Sequence, residues 1–207
     1  MMEAIIFDVD GTLWDSTKVV EVAWNKAIEE TTDLDRRLTA EELKKEFGKP
    51  LEAIVESLFP GMSKGDMDRL SEALFTYENA MVAKEPCILY EGMMETIPKL
   101  AKRYKLFIVS NCQAGYIEAF LENTGLGEFF VDFTCPGETG KLKADNLKII
   151  MERNHLTEAV YVGDTHGDEQ ACEEAGVPMI YAAYGFGDVV NEHVSITCFS
   201  ELDSMEL

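Results

Sequence analysis

Cationic side chains are in short supply in this 207-residue chain, which sets 18 lysines and arginines against 39 aspartates and glutamates for a formal net charge of −21. A surface that grips a nucleic-acid backbone must be basic, so the balance rules against nucleic acid as a partner. Histidine is scarcer still, with three residues. The five cysteines (Cys87, Cys112, Cys135, Cys172 and Cys198) form no Cys-x-x-Cys pair. There is thus no His/Cys cluster for a transition metal, and an odd, scattered set of thiols reads as reduced core residues rather than a disulfide frame. No apolar run approaches the roughly 18–20 residues of a membrane helix. The opening Met-Met-Glu-Ala lacks the basic start of a secretion signal. The expectation is a soluble cytoplasmic protein with no membrane partner, and with no internal repeat or low-complexity tract.

What the chain does have is apolar content, at 46 %. That suffices for a packed core, and the length fits one domain carrying a smaller insert. The excess of acid favours solubility but repels anions over long range, so a phosphate-handling site would need its own local cations.

Short β-branched runs at Glu3–Val9, Lys105–Val109, Val131–Thr134, Ala159–Val162 and Pro178–Ala182 read as buried strands. Helical spacings lie between them, as in Ile117, Phe120 and Leu121 or Leu147, Ile150 and Met151. Strands alternating with helices predict an α/β fold, a parallel doubly wound (Rossmann-like) sheet. From Thr17 to Glu85 the rhythm changes to helices alone. Their apolar stripes are Val20, Trp24, Ala27 and Ile28; Leu51, Ile54, Val55 and Leu58; and Met67, Leu70, Leu74, Tyr77 and Met81. Thr39 and Glu42 have capping-box spacing, Gly48 suits a helix end, and Ser63 suits a cap. The expected division is an α/β core of residues 1–16 and 86–207 and an all-helical insert of residues 17–85 after the first strand.

Four stretches carry chemistry. The first is Phe7-Asp8-Val9-Asp10-Gly11-Thr12, where an apolar strand runs into two acids. Residues two apart in a strand share a side, so both carboxylates would project at the strand's carboxyl end, where open α/β sheets place ligands. Like charges about 4 Å apart repel by roughly 4 kcal/mol at an effective dielectric of about 20, which calls for a cation. Gly11 allows a tight turn, and Thr12 offers a hydroxyl and an N–H. An Asp-Gly turn would account for these residues taken alone. The second is Val162-Gly163-Asp164-Thr165-His166-Gly167-Asp168, a strand ending in acids near a helix start. Helix capping with a solvated Asp168 and a surface His166 is the plainer account. The third, Val109-Ser110-Asn111, is equally a helix cap or a binding turn. The fourth, Lys141-Leu142-Lys143-Ala144-Asp145-Asn146, places ammonium groups ahead of a helix; solvated lysines would look the same. Taken together they gather acids, a hydroxyl and a lysine at one sheet edge, an oxygen-rich donor set that suits Mg²⁺.

In this order the four stretches resemble the motifs of the haloacid dehalogenase-like hydrolase superfamily. Tyr90-Glu91-Gly92-Met93 and Tyr184-Gly185-Phe186-Gly187 are similar to its phosphoglycolate-phosphatase-like members, and the helical insert to its cap. The resemblance covers nearly the whole chain. It implies a Mg²⁺-dependent phosphatase acting on a small phosphate ester through an aspartyl phosphate on Asp8, with Asp10 as acid and then base. It implies Asp8, Asp10 (through its backbone carbonyl) and Asp164 as metal ligands, with Asp168 orienting or joining them. Ser110 and a lysine would hold the phosphoryl group, with Gly11, Thr12 and Asn111 beside the substrate. Many members read Lys-Pro at the third motif, and this chain does not; Lys143 fits better than its alternative, Lys141. The second acid, Asp10, is what dehalogenases lack, because a halide leaving group needs no proton.

Lys49, in Gly48-Lys49-Pro50, would either touch substrate from the insert or sit in an ordinary turn. A sugar-phosphate phosphomutase would use the same nucleophile. A non-catalytic phosphorylation switch like a receiver domain would lack the insert. A binding module that had lost activity would not keep every chemical residue. A monomer is the default expectation.

Overall fold

The computed structural model describes residues 2–207. Along the chain run β1 (Ala4–Phe7), β2 (Trp14–Asp15), α1 (Thr17–Thr31), α2 (Ala40–Glu46), α3 (Leu51–Leu58), α4 (Lys64–Val82), β3 (Ile88–Leu89) and α5 (Met93–Leu100). Then come β4 (Lys105–Val109), α6 (Tyr116–Thr124), β5 (Phe130–Thr134), α7 (Pro136–Thr139), α8 (Lys143–Arg153), β6 (Ala159–Gly163), α9 (His166–Ala175), β7 (Met179–Ala182) and β8 (Val194–Ile196). Six strands form one sheet in the order β5-β4-β1-β6-β7-β8, and every pairing in it is parallel.

The sheet is covered on both faces, as a β-branched run with no polar alternation requires. Ile5 and Phe7 point into one core with α1, α5 and α6. Ala4 and Ile6 point into the other, against Leu147 and Ile150 of α8 and Cys172 of α9. The chain leaves β1 toward β4 on one side and β6 on the other, so strand order reverses at β1, the place where doubly wound sheets hold ligands.

Residues 17–85 contain helices and no strand. Val20, Trp24, Ala27 and Ile28 are the buried face of α1. Thr39 and Glu42 form the capping box of α2, and Ser63 caps α4. The chain does not pass directly from β1 into this segment, however. Trp14–Asp15 and Ile88–Leu89 pair antiparallel, so the strand leading into the helices is hydrogen-bonded to the strand leading out. Two residues a side is too short for any strand pattern to register. All five cysteines are free thiols, and among the described residues no helix is long and apolar enough to cross a membrane.

Candidate active site

The central strand ends at Phe7, beside Ile108 and Val162, and its two neighbours run one residue further, to Val109 and Gly163. The residues that follow them are Asp8, Ser110 and Asp164. All three are buried, at 2 %, 4 % and 0 % exposure. Asp168, on the first turn of α9, joins them: one oxygen each of Asp8, Asp164 and Asp168 lie within 4.8 Å of one another.

Lys143 supplies the compensating charge. Its Nζ donates to Asp8 Oδ1 at 2.9 Å and to Asp168 Oδ1 at 2.6 Å, and the residue is 3 % exposed. Burial would depress the ammonium, but the charges of Asp168 and Asp8 outweigh it and hold its pKa well above the ordinary value. Lys141 is exposed, so of the two lysines only Lys143 reaches the acids.

The four acids differ in environment. Burial pushes Asp8 up, against the pull of Lys143. Burial, and then the charges of Asp168 and Asp8, push Asp164 far up. Asp168 is also buried, yet Lys143 and the donors of Thr165 hold it below the usual range. Its oxygens are saturated. Oδ1 takes Lys143 and Tyr161; Oδ2 takes the N–H groups of Asp164 and Thr165 and the Thr165 hydroxyl. Thr165 and Asp168 form the capping box of α9. Capping therefore explains the spacing, but Asp168 is fully buried rather than solvated.

Asp10 points elsewhere. β1 ends at Phe7, so the alternation of a strand does not carry through to position 10, and the Asp10 carboxylate is outside the three-acid cluster. Its Oδ1 accepts from Ser16 Oγ at 2.6 Å, Tyr116 Oη at 2.8 Å and Trp14 Nε1 at 3.1 Å. Burial pushes it up to about 7, against the hydrogen bonds from Ser16 and Tyr116.

Gly11 and Thr12 are tied into the loop that carries them. Their N–H groups close the turn onto Trp14 and Val9. The Thr12 hydroxyl donates to Asp164 Oδ1 at 3.1 Å. Gly11, at φ +84°, passes so close to Asp164 that a Cβ would lie 2.1 Å from Oδ2. Both residues shape the seat of Asp164. Phe186 N–H holds the other oxygen at 2.7 Å.

Ser110-Asn111 is not a helix cap, since α6 starts at Tyr116 behind Gly115. Asn111 Nδ2 donates to Gly48 O at 2.8 Å, tying the loop of the helical segment to the core. Its Oδ1 is buried without a partner. Lys49 is exposed and pairs with Glu46 at 2.7 Å. His166 pairs with Glu169 at 2.7 Å, away from the acid cluster.

A family model for haloacid dehalogenase-like hydrolases matches residues 5–182. The chain belongs to this family. It is 27 % identical to a phosphoglycolate phosphatase of Photobacterium profundum, over 96 % of this chain and 93 % of that one. It is 28 % identical to another of Aquifex aeolicus, over 89 % and 86 %. Its fold matches CbbY of Rhodobacter sphaeroides, solved with phosphate, at a TM-score of 0.80 and 20 % identity over 98 % and 96 % of the two chains.

Sequence reasoning missed Tyr116, Tyr161 and Glu78. Glu78 is 5 % exposed, on α4. It lines a cavity of about 20 Å³ with Asp8, Asp10 and Ser110. The signal was its spacing: it stands four residues after Leu74 and four before Val82, on the buried stripe.

Proposed function

We propose that this hydrolase cleaves a small soluble phosphate monoester, with Mg²⁺ bound, through a phosphoryl group carried on Asp8. The observation that carries the reading is Lys143 joined to Asp8 beside two further buried acids, Asp164 at the end of the adjacent β6 and Asp168 on the first turn of α9. The donor set fits a hard cation: carboxylate oxygens gathered without a histidine or cysteine among them. Asp8, Asp164 and the backbone carbonyl of Asp10 would hold the ion, with Asp168, already saturated by donors, orienting Lys143 and the helix start. Bound there, Mg²⁺ would offset the crowded acids and polarise the phosphoryl oxygens.

In this reading an Asp8 oxygen attacks phosphorus and the ester P–O bond breaks in line. Asp10, held through Oδ1, uses Oδ2 to give its proton to the departing oxygen. It then takes a proton from the water that attacks the phosphoryl group; the bond to Asp8 breaks and inorganic phosphate leaves. Ser110 and Lys143 bind the phosphoryl oxygens and offset the developing charge. The cavity of about 20 Å³ holds little more than a water, so the helical segment acts as a cap that parts at the Gly48–Asn111 contact to admit substrate and closes to exclude solvent.

The test is phosphate release from a panel of small phosphate esters, with Mg²⁺ or with chelator, by wild type and Asp8→Asn. Mg²⁺-dependent release that the variant loses supports the reading. Equal release by both proteins ends it, and isomerisation without release assigns a phosphomutase.

A further inference from the structure

The cavity over Asp8 and Asp10 is closed on the insert side by Trp24 and Glu78, with Gln113 from the core beside them. Its donors are already taken up: the Ser110 hydroxyl is bonded to Asp8 and Asn111 Nδ2 to Gly48 O. Glu78 takes the Trp24 indole N–H, which spends the donor. Gln113 is 6 % exposed. Its amide nitrogen donates to Asn79 Oδ1 at 2.8 Å and to the Glu78 carboxyl, and its Oε1 is buried with no partner. Among the described residues no lysine or arginine lines this cavity. Lys44, Lys45 and Lys49 line a separate outer cavity, divided from it by Phe47, Gly48 and Asn111, which line both.

We infer, building on the phosphatase reading, that the leaving group accepted here is uncharged and carries hydroxyl groups, and that Gln113 selects it against leaving groups bearing a carboxylate. A carboxylate only accepts hydrogen bonds. Set against Gln113 Oε1, it would meet an acceptor and no cation. A hydroxyl donates to Gln113 Oε1 and also accepts. Sites built to hydrogen-bond a hydroxyl reject analogues without it by large factors, up to roughly 10⁴–10⁵-fold. This sets the chain apart from its relatives named for phosphoglycolate.

The experiment compares kcat/KM within two matched pairs that differ only in CH₂OH against COO⁻: 2-hydroxyethyl phosphate with phosphoglycolate, and glycerol 3-phosphate with 3-phosphoglycerate. The alcohol should be preferred in each pair by about tenfold or more, and Gln113→Leu should narrow that ratio by slowing the alcohol alone. An acid turned over as well as its alcohol overturns the inference, as does a ratio that Gln113→Leu leaves unchanged. Where turnover is slow on all four, ligand-induced rise in melting temperature of Asp8→Asn gives the same comparison, with equal or larger shifts from the acids counting against it. Phosphate release from p-nitrophenyl phosphate that Asp8→Asn abolishes shows that the phosphatase reading stands even when the inference falls; no such release removes both.

Discussion

The Lys143 ammonium lies 2.6 Å from Asp168 Oδ1, and the same nitrogen reaches Asp8. One buried cation thus serves two acids, one just after β1 and one on the first turn of α9. Deleting one partner of a buried pair leaves an uncompensated charge and costs roughly 3–5 kcal/mol. Lys143→Ala should therefore lower the melting temperature and cut turnover by about 10²-fold or more. Lys141→Ala, at an exposed position, should change neither. Paired melting curves and phosphate-release rates check this; equal effects of the two substitutions would refute the assignment of Lys143.

The three-acid cluster makes a second prediction, about metal. A cation that binds only the folded chain stabilises it by mass action, about 2.7 kcal/mol at a hundred times its dissociation constant. Added Mg²⁺ should raise the wild-type melting temperature in a saturable way, and Asp164→Asn should blunt the rise. Scanning calorimetry across a Mg²⁺ titration measures it. A wild-type curve indifferent to Mg²⁺ would leave the cluster without the ion proposed for it.

Glu78 predicts a pH dependence of stability. Burial pushes its pKa from the ordinary 4.5 up to about 8. Between those values the unfolded chain has released the proton and the folded chain still holds it. Stability therefore falls as pH rises through that window. Each unit of displacement is worth about 1.4 kcal/mol, so the total is on the order of a few kcal/mol. Glu78→Gln removes this group's contribution and keeps an acceptor for Trp24. Urea melts from pH 5 to pH 8 should show the wild type losing ground to Glu78→Gln as pH increases; parallel profiles would contradict the buried, protonated acid.

The chemistry was legible wherever an apolar strand ran straight into a polar residue. Asp8, Ser110 and Asp164 stand at such junctions, and sheet order brings the three strands side by side. Lys143 was legible as one of two lysines; only the seating of α8 against β4 and β5 distinguishes it from Lys141. The direction of Asp10 was not legible, because the alternation argument assumes a strand that has already ended at Phe7. Tyr116 and Tyr161 were hidden inside apolar patterns. Their hydroxyl partners, Asp10 and the Val109 carbonyl, lie 106 and 52 residues away, a distance that local pattern does not span. Glu78 was overlooked because a glutamate on a helix reads as a solvated face, although its spacing put it on the buried stripe. β8 has three residues, two of them exposed, and so lacks the apolar run that marks the other strands.

Gly185 gives the sharpest steric test of the site. Tyr184-Gly185-Phe186-Gly187 bends over Asp164, and Phe186 N–H fixes Asp164 Oδ2. A Cβ at Gly185 would lie 2.2 Å from Asp164 Cβ and 2.5 Å from its Oδ2. Gly185 is not among the positive-φ glycines, so alanine there imposes no left-handed strain and acts through space alone. Asp164 itself cannot yield easily, since Gly11 crowds it from the other side, with a Cβ there 2.1 Å from Oδ2. Gly185→Ala should therefore displace the carboxylate, or the loop that holds it, and lose both turnover and the Mg²⁺-induced rise in melting temperature. The change leaves both sheet cores untouched, so the far-ultraviolet circular dichroism should remain that of the wild type. Full activity in Gly185→Ala would mean that Asp164 does not need the position it occupies, and its place among the metal ligands would have to be given up.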